Sequence, residues 1–368
     1  MGDINMVKAF ASPSHYVQGN GILDHPNKHL ENLGEKPILL CDDIVWSIIG
    51  KKLNQTLATD FTVTHVTFGG EASEKEIDRV VAIGQKNSND FIIGLGGGKT
   101  LDTAKDIADK LQVPVAILPT VASTDAPCSA LSVLYTPEGQ FTNYAFYDKN
   151  PDIVLVDTKV VANAPVRNLI AGIGDAMATN IEAQDVARGY NKSMIGQSPT
   201  LASLAIAQTC EDNLFAHAHE AVAAAKANVV TPALETVVEA NTLLSGIGFE
   251  SSGLAAAHAI YNGFTVLSGE SEKMMHGEKV SYGYLCELVL DNVPTEVLNE
   301  YIDFNQSLGI PTTLADLHLE KATYDDFLKV GQQATIPTET IHQMPFDVTA
   351  EDVANAIMTV DSYVRNRK

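Results

Sequence analysis

From Pro37 onward, short apolar runs alternate with amphipathic stretches: PILLCDD, IVWSIIGKKLNQTL, FTVTHVTF, SEKEIDRVVAIGQKN, FIIGLGG and VPVAILPT. Strand-length runs separated by helix-length segments predict βαβ units, and hence a parallel sheet with helices on its faces. The series closes with a hairpin around TPEGQ, residues 136–140, and a further strand at DIVLVD, residues 152–157. Beyond about Pro165 the strand signals stop. Alanine-rich segments with a 3.6-residue apolar period take over, among them SPTLASLAIAQTCEDNLFAHAHEAVAAA and VANAIMTVDSYVRN. This shift predicts an α/β domain over residues 1–162 and an all-α domain over 163–368, with no internal repeat and no low-complexity linker.

A chain of 368 residues suits two domains of ordinary size. Its formal charge of −22 leaves no basic face to neutralise phosphates, which argues against nucleic acid as a partner. No apolar core of signal-peptide length precedes Ala11, and no later run approaches the roughly 18 apolar residues of a membrane helix. Cys41, Cys128, Cys210 and Cys286 are scattered without a CxxC pair, so neither a thiolate zinc knuckle nor a disulfide scaffold is expected. A reduced, cytoplasmic setting is the simple reading.

FIIGLGGGKTLDTAK, residues 91–105, fits neither familiar phosphate template. A Walker A loop needs glycine where Ile93 stands, and a GxGxxG fingerprint needs it at Lys99. What remains is a strand, a glycine turn and a helix, a geometry whose bare N–H groups and helix dipole suit a phosphate or pyrophosphate. The same residues could form a tight turn with no ligand. Asp42, after the first of the apolar runs, stands where a carboxylate accepts from an adenosine ribose, favouring NAD over NADP. It could equally cap the next helix, as could Asp43.

GGGKTLDTAK, PTVASTDAPCSALSVLY, GIGDAMATNIEA, GFESSGLAAAHAIYNGF and MMHGEKVSYG occur in this order. They resemble the motifs of the metal-dependent alcohol dehydrogenases, the group III or iron-containing family, and within it the glycerol-oxidising members. The resemblance extends over essentially the whole chain. It implies a dehydroquinate synthase-like fold, with a Rossmann-like first domain and the active site in the cleft between the two.

On this resemblance Gly96, Gly97 and Gly98, with Lys99 and Thr100, hold the pyrophosphate of NAD, and Asp102 sits in the first turn of the following helix. Thr120, Ser123, Ser129, Leu131, Val133 and Tyr135 are similar to the family's strip along the cofactor's ribose and nicotinamide. Asp175, His258 and His276 match its metal-binding aspartate and two histidines. Spacing alone does not single them out, because a lone histidine on an alanine-rich helix is more often a packed core residue. Three nitrogen and oxygen ligands suit Zn2+ and leave one position open. Iron-using relatives carry a further histidine four residues after the aspartate, where this chain has Thr179. His217 and His219, at i and i+2, face apart and read as surface or packing residues.

Asp125 is expected to contact substrate, its other reading being a turn cap before Pro127. Phe249 is either a pocket wall or an ordinary core aromatic. With Asp125, Asp175, His258 and His276 as catalytic residues, the implied reaction is reversible NAD-linked oxidation of glycerol to dihydroxyacetone, with 1,2-diols also accepted. The metal acts as Lewis acid and hydride passes to the nicotinamide C4. Rival expectations are reduction of lactaldehyde or methylglyoxal, a glycerol-1-phosphate dehydrogenase, and a nucleotide-binding protein without catalysis. Family analogy also implies a homo-oligomer, an octamer.

Overall fold

The structure, a computed structural model, describes residues 7–367. Six strands form one sheet: β1 (Tyr16–Gly19), β2 (Pro37–Cys41), β3 (Thr64–Thr67), β4 (Phe91–Gly96), β5 (Val115–Pro119) and β8 (Ile153–Asp157). Two more, β6 (Leu131–Tyr135) and β7 (Phe141–Phe146), pair antiparallel beside it. The sheet order is β1-β8-β5-β4-β2-β3 and its pairings are parallel. β2, β4, β5 and β8 are buried along their whole length, which is why they read as continuous apolar runs rather than alternating ones.

The expected hairpin forms at residues 136–140, where Thr136 N donates to Gln140 O and Gly139 N to Thr136 O. β1 carries no comparable signal. It has four residues, all half-buried, at the edge of the sheet.

Strand order places the ligand crevice. From β2 the chain runs outward to β3, then returns to the other side of β2 for β4, β5 and β8. The reversal falls between β2 and β4, and open parallel sheets bind ligands outside the carboxyl ends of the strands at such a switch point. Asp42 follows β2 and the glycine turn follows β4.

Two compact units emerge, and neither is one continuous stretch. The α/β unit comprises Ala11–Leu169 with Glu220–Gly246; the helical unit comprises residues 7–10, Ile170–His219 and 247–367. This differs from a single boundary at 162/163 chiefly in residues 220–246. Their assignment follows from β1. Gln18 donates to Glu235 Oε2, Thr158 donates to Glu235 Oε1, and Tyr16 shares a hydrogen bond with Thr242, so the segment covers the sheet's β1 edge. Past Ala11 the chain changes unit inside helices, as between Leu169 and Ile170 in the helix Val166–Ala176. Among the described residues no helix is long and apolar enough to cross a membrane.

Candidate active site and metal centre

The α/β unit carries the glycine turn, and its four glycines serve two different purposes. A Cβ on Gly94 would stand 2.6 Å from Ala104 Cβ, and one on Gly96 2.8 Å from Thr100 Oγ1. Those two are required by the close packing of β4 on the helix Gly98–Leu111. Gly97 and Gly98 are not. A Cβ on either would make only ordinary contacts, at 3.7 Å to Val121 and 3.5 Å to Thr124, and neither has a positive φ. No side chain caps the helix start at Gly97. The protein's own packing therefore leaves two bare glycines and uncapped N–H groups at the switch point, which suits close approach of a phosphate.

The other residues expected at the cofactor divide. Asp42 Oδ1 accepts from Ile44 N and Val45 N, each at 2.8 Å, so it caps the short helix Asp43–Val45. Lys99 points to Glu71, with Nζ 2.7 Å from Oε2, and lies over the Tyr135 ring. Thr100 packs under Gly96. Asp102 is buried; its Oδ2 accepts from Val133 N at 3.1 Å and its Oδ1 pairs with Lys105 at 2.9 Å. Burial pushes its carboxyl pKa up against the pull of Lys105. Thr120, Ser123, Ser129 and Leu131 are buried, whereas Val133 and Tyr135 are half-buried.

Lys105 was not legible as a site residue, yet it organises this region. Its buried ammonium donates to the carbonyls of Ala126, Ser129 and Leu131. The loop carrying Asp125 is thereby tied to the helix behind the glycine turn. Asp125 makes no side-chain cap to the turn that follows it; Ser245 donates to its Oδ2 at 3.1 Å, and Gly246 leaves room for its carbonyl.

The helical unit brings Asp175, His258 and His276 together. Their nearest donor atoms all lie within 4.8 Å of one another. Asp175 Oδ1 is 3.5 Å from His258 Nε2 and 3.1 Å from His276 Nε2. Tetrahedral donors about 2.0–2.1 Å from one zinc ion stand about 3.4 Å apart, so the spacing fits a shared ion. His258 Nδ1 lies 2.6 Å from Glu182 Oε2, which leaves Nε2 as the nitrogen that could bind an ion. Burial lowers the His258 pKa, but Glu182 and Asp175 outweigh it and hold the imidazole well above its usual value. Burial likewise raises Asp175, yet His276 and His258 bring its carboxyl below the ordinary range. The site is built for positive charge.

Glycines beside the ligands allow this convergence. A Cβ on Gly277, next to His276, would stand 1.8 Å from Ala171 O, and one on Gly174, next to Asp175, 2.7 Å from Gly277 O. A Cβ on Gly283 would stand 2.4 Å from Ala257 O, beside His258. Three ligand-bearing helices thus meet backbone to backbone.

The profile of the iron-containing alcohol dehydrogenases matches residues 13–158. A glycerol dehydrogenase of Thermotoga maritima is 45% identical over 366 residues, 99% of each chain. The chain belongs to the iron-containing alcohol dehydrogenase family. A glycolaldehyde reductase of Halobacterium salinarum is 41% identical, covering 98% of this chain and 99% of its own. The crystal structure of glycerol dehydrogenase from Schizosaccharomyces pombe superposes with a TM-score of 0.95 at 42% identity, covering 98% of this chain and 92% of that one. The expected α/β-plus-helical fold is thereby established, and the chain is an oxidoreductase of the alcohol dehydrogenase type.

Within this iron-containing alcohol dehydrogenase, Thr179 is buried and packs against Gly248, where an added Cβ would stand 2.4 Å from its Cγ2. Phe249 is buried. His219 lies on the surface against Ser307, and His217 is half-buried on the same helix. Sequence reasoning missed Lys105, Glu182 and Ser245. Glu182 is the next-to-last residue of the GIGDAMATNIEA segment, and its place two turns after Asp175 on a helical stretch was the available signal.

Proposed function

We propose that this chain oxidises glycerol to dihydroxyacetone with reduction of NAD, reversibly, and that Asp175, His258 and His276 hold zinc. The observation that carries this reading is the convergence of two imidazole nitrogens and one carboxylate oxygen within 4.8 Å of one another, in a chain 45% identical to a glycerol dehydrogenase over its length. Zinc supplies Lewis acidity that makes a substrate hydroxyl acidic near neutral pH. Three protein ligands would leave one position open, and Thr179 stands where a fourth, histidine ligand would otherwise come.

The chain's own residues bind and orient. Gly97 and Gly98 take the pyrophosphate of NAD on bare backbone, with Asp42 at the neighbouring strand end toward the adenosine ribose. Thr120, Ser123 and the β6 residues line the nicotinamide half. Asp125, held by Ser245, accepts a hydrogen bond from a second substrate hydroxyl, which favours vicinal diols over monohydric alcohols. Bound there, NAD would supply the hydride acceptor for the carbon bearing the acidic hydroxyl, whose proton would be released.

A second reading, reduction of small hydroxycarbonyls, is supported by the 41% identity to a glycolaldehyde reductase. The same site would serve it in the reverse direction. Four free, buried cysteines suit a reducing cytoplasm, and family likeness suits a homo-oligomer, which light scattering measures.

The test is NADH formation by purified protein with glycerol, 1,2-propanediol and glycerol-1-phosphate, alongside NADH consumption with glycolaldehyde and lactaldehyde. Each is run before chelation, after it, and with zinc restored. Glycerol turnover lost on chelation and recovered with zinc supports the reading. Metal-dependent turnover confined to carbonyl reduction replaces it with the second, and NADH binding without turnover of any substrate overturns both.

A further inference from the structure

The helix Ala256–Phe264 carries His258 and begins at Ala255 with no side chain of its own to cap it. The first N–H groups of a helix find no partner within it and need one from elsewhere. Here two carboxyls from other helices supply it. Glu182 Oε1 accepts from Ala255 N at 2.8 Å and His258 N at 3.0 Å, and Glu287 Oε2 accepts from Ala257 N at 2.6 Å. The start of the ligand-bearing helix is thus fixed from outside.

Glu287 lies on the helix His276–Leu290 and is fully buried. Its charged neighbours are Glu182 and Asp185, both carboxyls. Asp185 in turn faces Arg188 and Asp291, while Glu182 faces His258. Glu287 Oε1 and Asp185 Oδ2 are each buried with no N–H or O–H donor from other groups among the described residues. Yet the two side chains hydrogen-bond to one another. A bond between two carboxyls requires a proton on one of them. Arg188 favours charge on Asp185, whereas burial and two neighbouring carboxylates disfavour it on Glu287.

We propose that Glu287 is a positioning residue for the metal centre and that it works as a neutral carboxylic acid, accepting from Ala257 N through Oε2 while its Oε1 hydroxyl donates to Asp185 Oδ2. The arrangement seats His258 without adding a second negative charge beside Glu182. It rests on Asp175, His258 and His276 being metal ligands.

Two variants and one spectrum test it. Glu287→Gln keeps both hydrogen bonds with no titratable proton, its carbonyl accepting from Ala257 N and its amide donating to Asp185. Zinc affinity, measured by competition with a chromophoric chelator, is expected to stay within about threefold of the parent. Glu287→Leu keeps bulk and loses both bonds, and is expected to bind zinc about 10–100-fold more weakly. The infrared spectrum of the metal-free parent at neutral pH should show a carboxylic-acid C=O band that Glu287→Gln lacks.

Equal loss of affinity in both variants, unchanged affinity in Glu287→Leu, or absence of the acid band overturns the proposal. Should Glu287→Leu fail to fold, the Gln variant and the spectrum decide it. A parent protein that binds no zinc overturns the ligand assignment itself, which is a different result from a parent that binds and a Gln variant that does not.

Discussion

His258 Nδ1 lies 2.6 Å from Glu182 Oε2, so one imidazole nitrogen is committed to a carboxylate while the other faces Asp175. That partner fixes the tautomer and ring plane of the ligand. Glu182→Ala removes it together with the acceptor for Ala255 N and His258 N. Metal affinity is expected to fall about 10–100-fold, read by chelator competition. An affinity equal to the parent's would show that packing alone orients the ring.

Gly277→Ala tests the crowding that brings the ligands together. The added methyl would meet the backbone of Ala171, which cannot swing aside as a side chain can. Overpacking of this kind costs about 3 kcal/mol or more. Urea denaturation should show the lower midpoint, and the folded fraction should retain less than one equivalent of metal. A variant with parental midpoint and full metal content would mean that the helices separate at no cost.

The glycine turn allows a sharper separation of fold from function. Gly97→Ala and Gly98→Ala add methyl groups that the packing accepts, in backbone conformations that alanine adopts. Stability is expected to hold, or to rise by about 0.4–1 kcal/mol through a less flexible unfolded chain. NADH affinity should nevertheless fall at least about tenfold if a phosphate approaches that backbone, a loss of about 1.4 kcal/mol. Gly96→Ala should lower stability as well, because its methyl meets Thr100. Unaltered NADH binding in the first two variants would return the turn to a purely structural role.

Most of the sheet was legible because buried parallel strands leave continuous apolar runs, as in PILLC and FIIGLG. β1 was not, since four half-buried residues at an edge carry neither run nor alternation. Losing β1 also hid the reason why residues 220–246 join the α/β unit. The metal triad shows the opposite limit. His258 and His276 are brought together by backbone contact between helices, through Gly277 and Gly283, and local sequence period does not encode such contacts. Only resemblance to a family pointed to them. Glu182, Glu287 and Lys105 escaped even that, because each acts on backbone groups remote in sequence.

The charge around Asp175 gives the centre a pH dependence with a definite sign. In the metal-free protein burial pulls His258 down, Glu182 and Asp175 pull it further up, and it stands well above its ordinary 6.5. A group raised in this way contributes stability that is complete below its unfolded value and is lost as pH rises through the folded one. Asp175 acts in the opposite sense: its contribution is present above the unfolded 3.8 and is lost as pH falls through its depressed folded value. From about pH 6.5 upward the metal-free protein is therefore expected to lose stability. Zinc binds the neutral imidazole and must displace the His258 proton, so its affinity should rise by about tenfold per pH unit while that proton is held. Both trends widen the gap between the melting temperatures of zinc-loaded and metal-free protein as pH rises from about 6.5 to 8.5. A gap that stays constant over this range would show that His258 is already neutral without metal, and that Glu182 acts on its orientation and not on its charge.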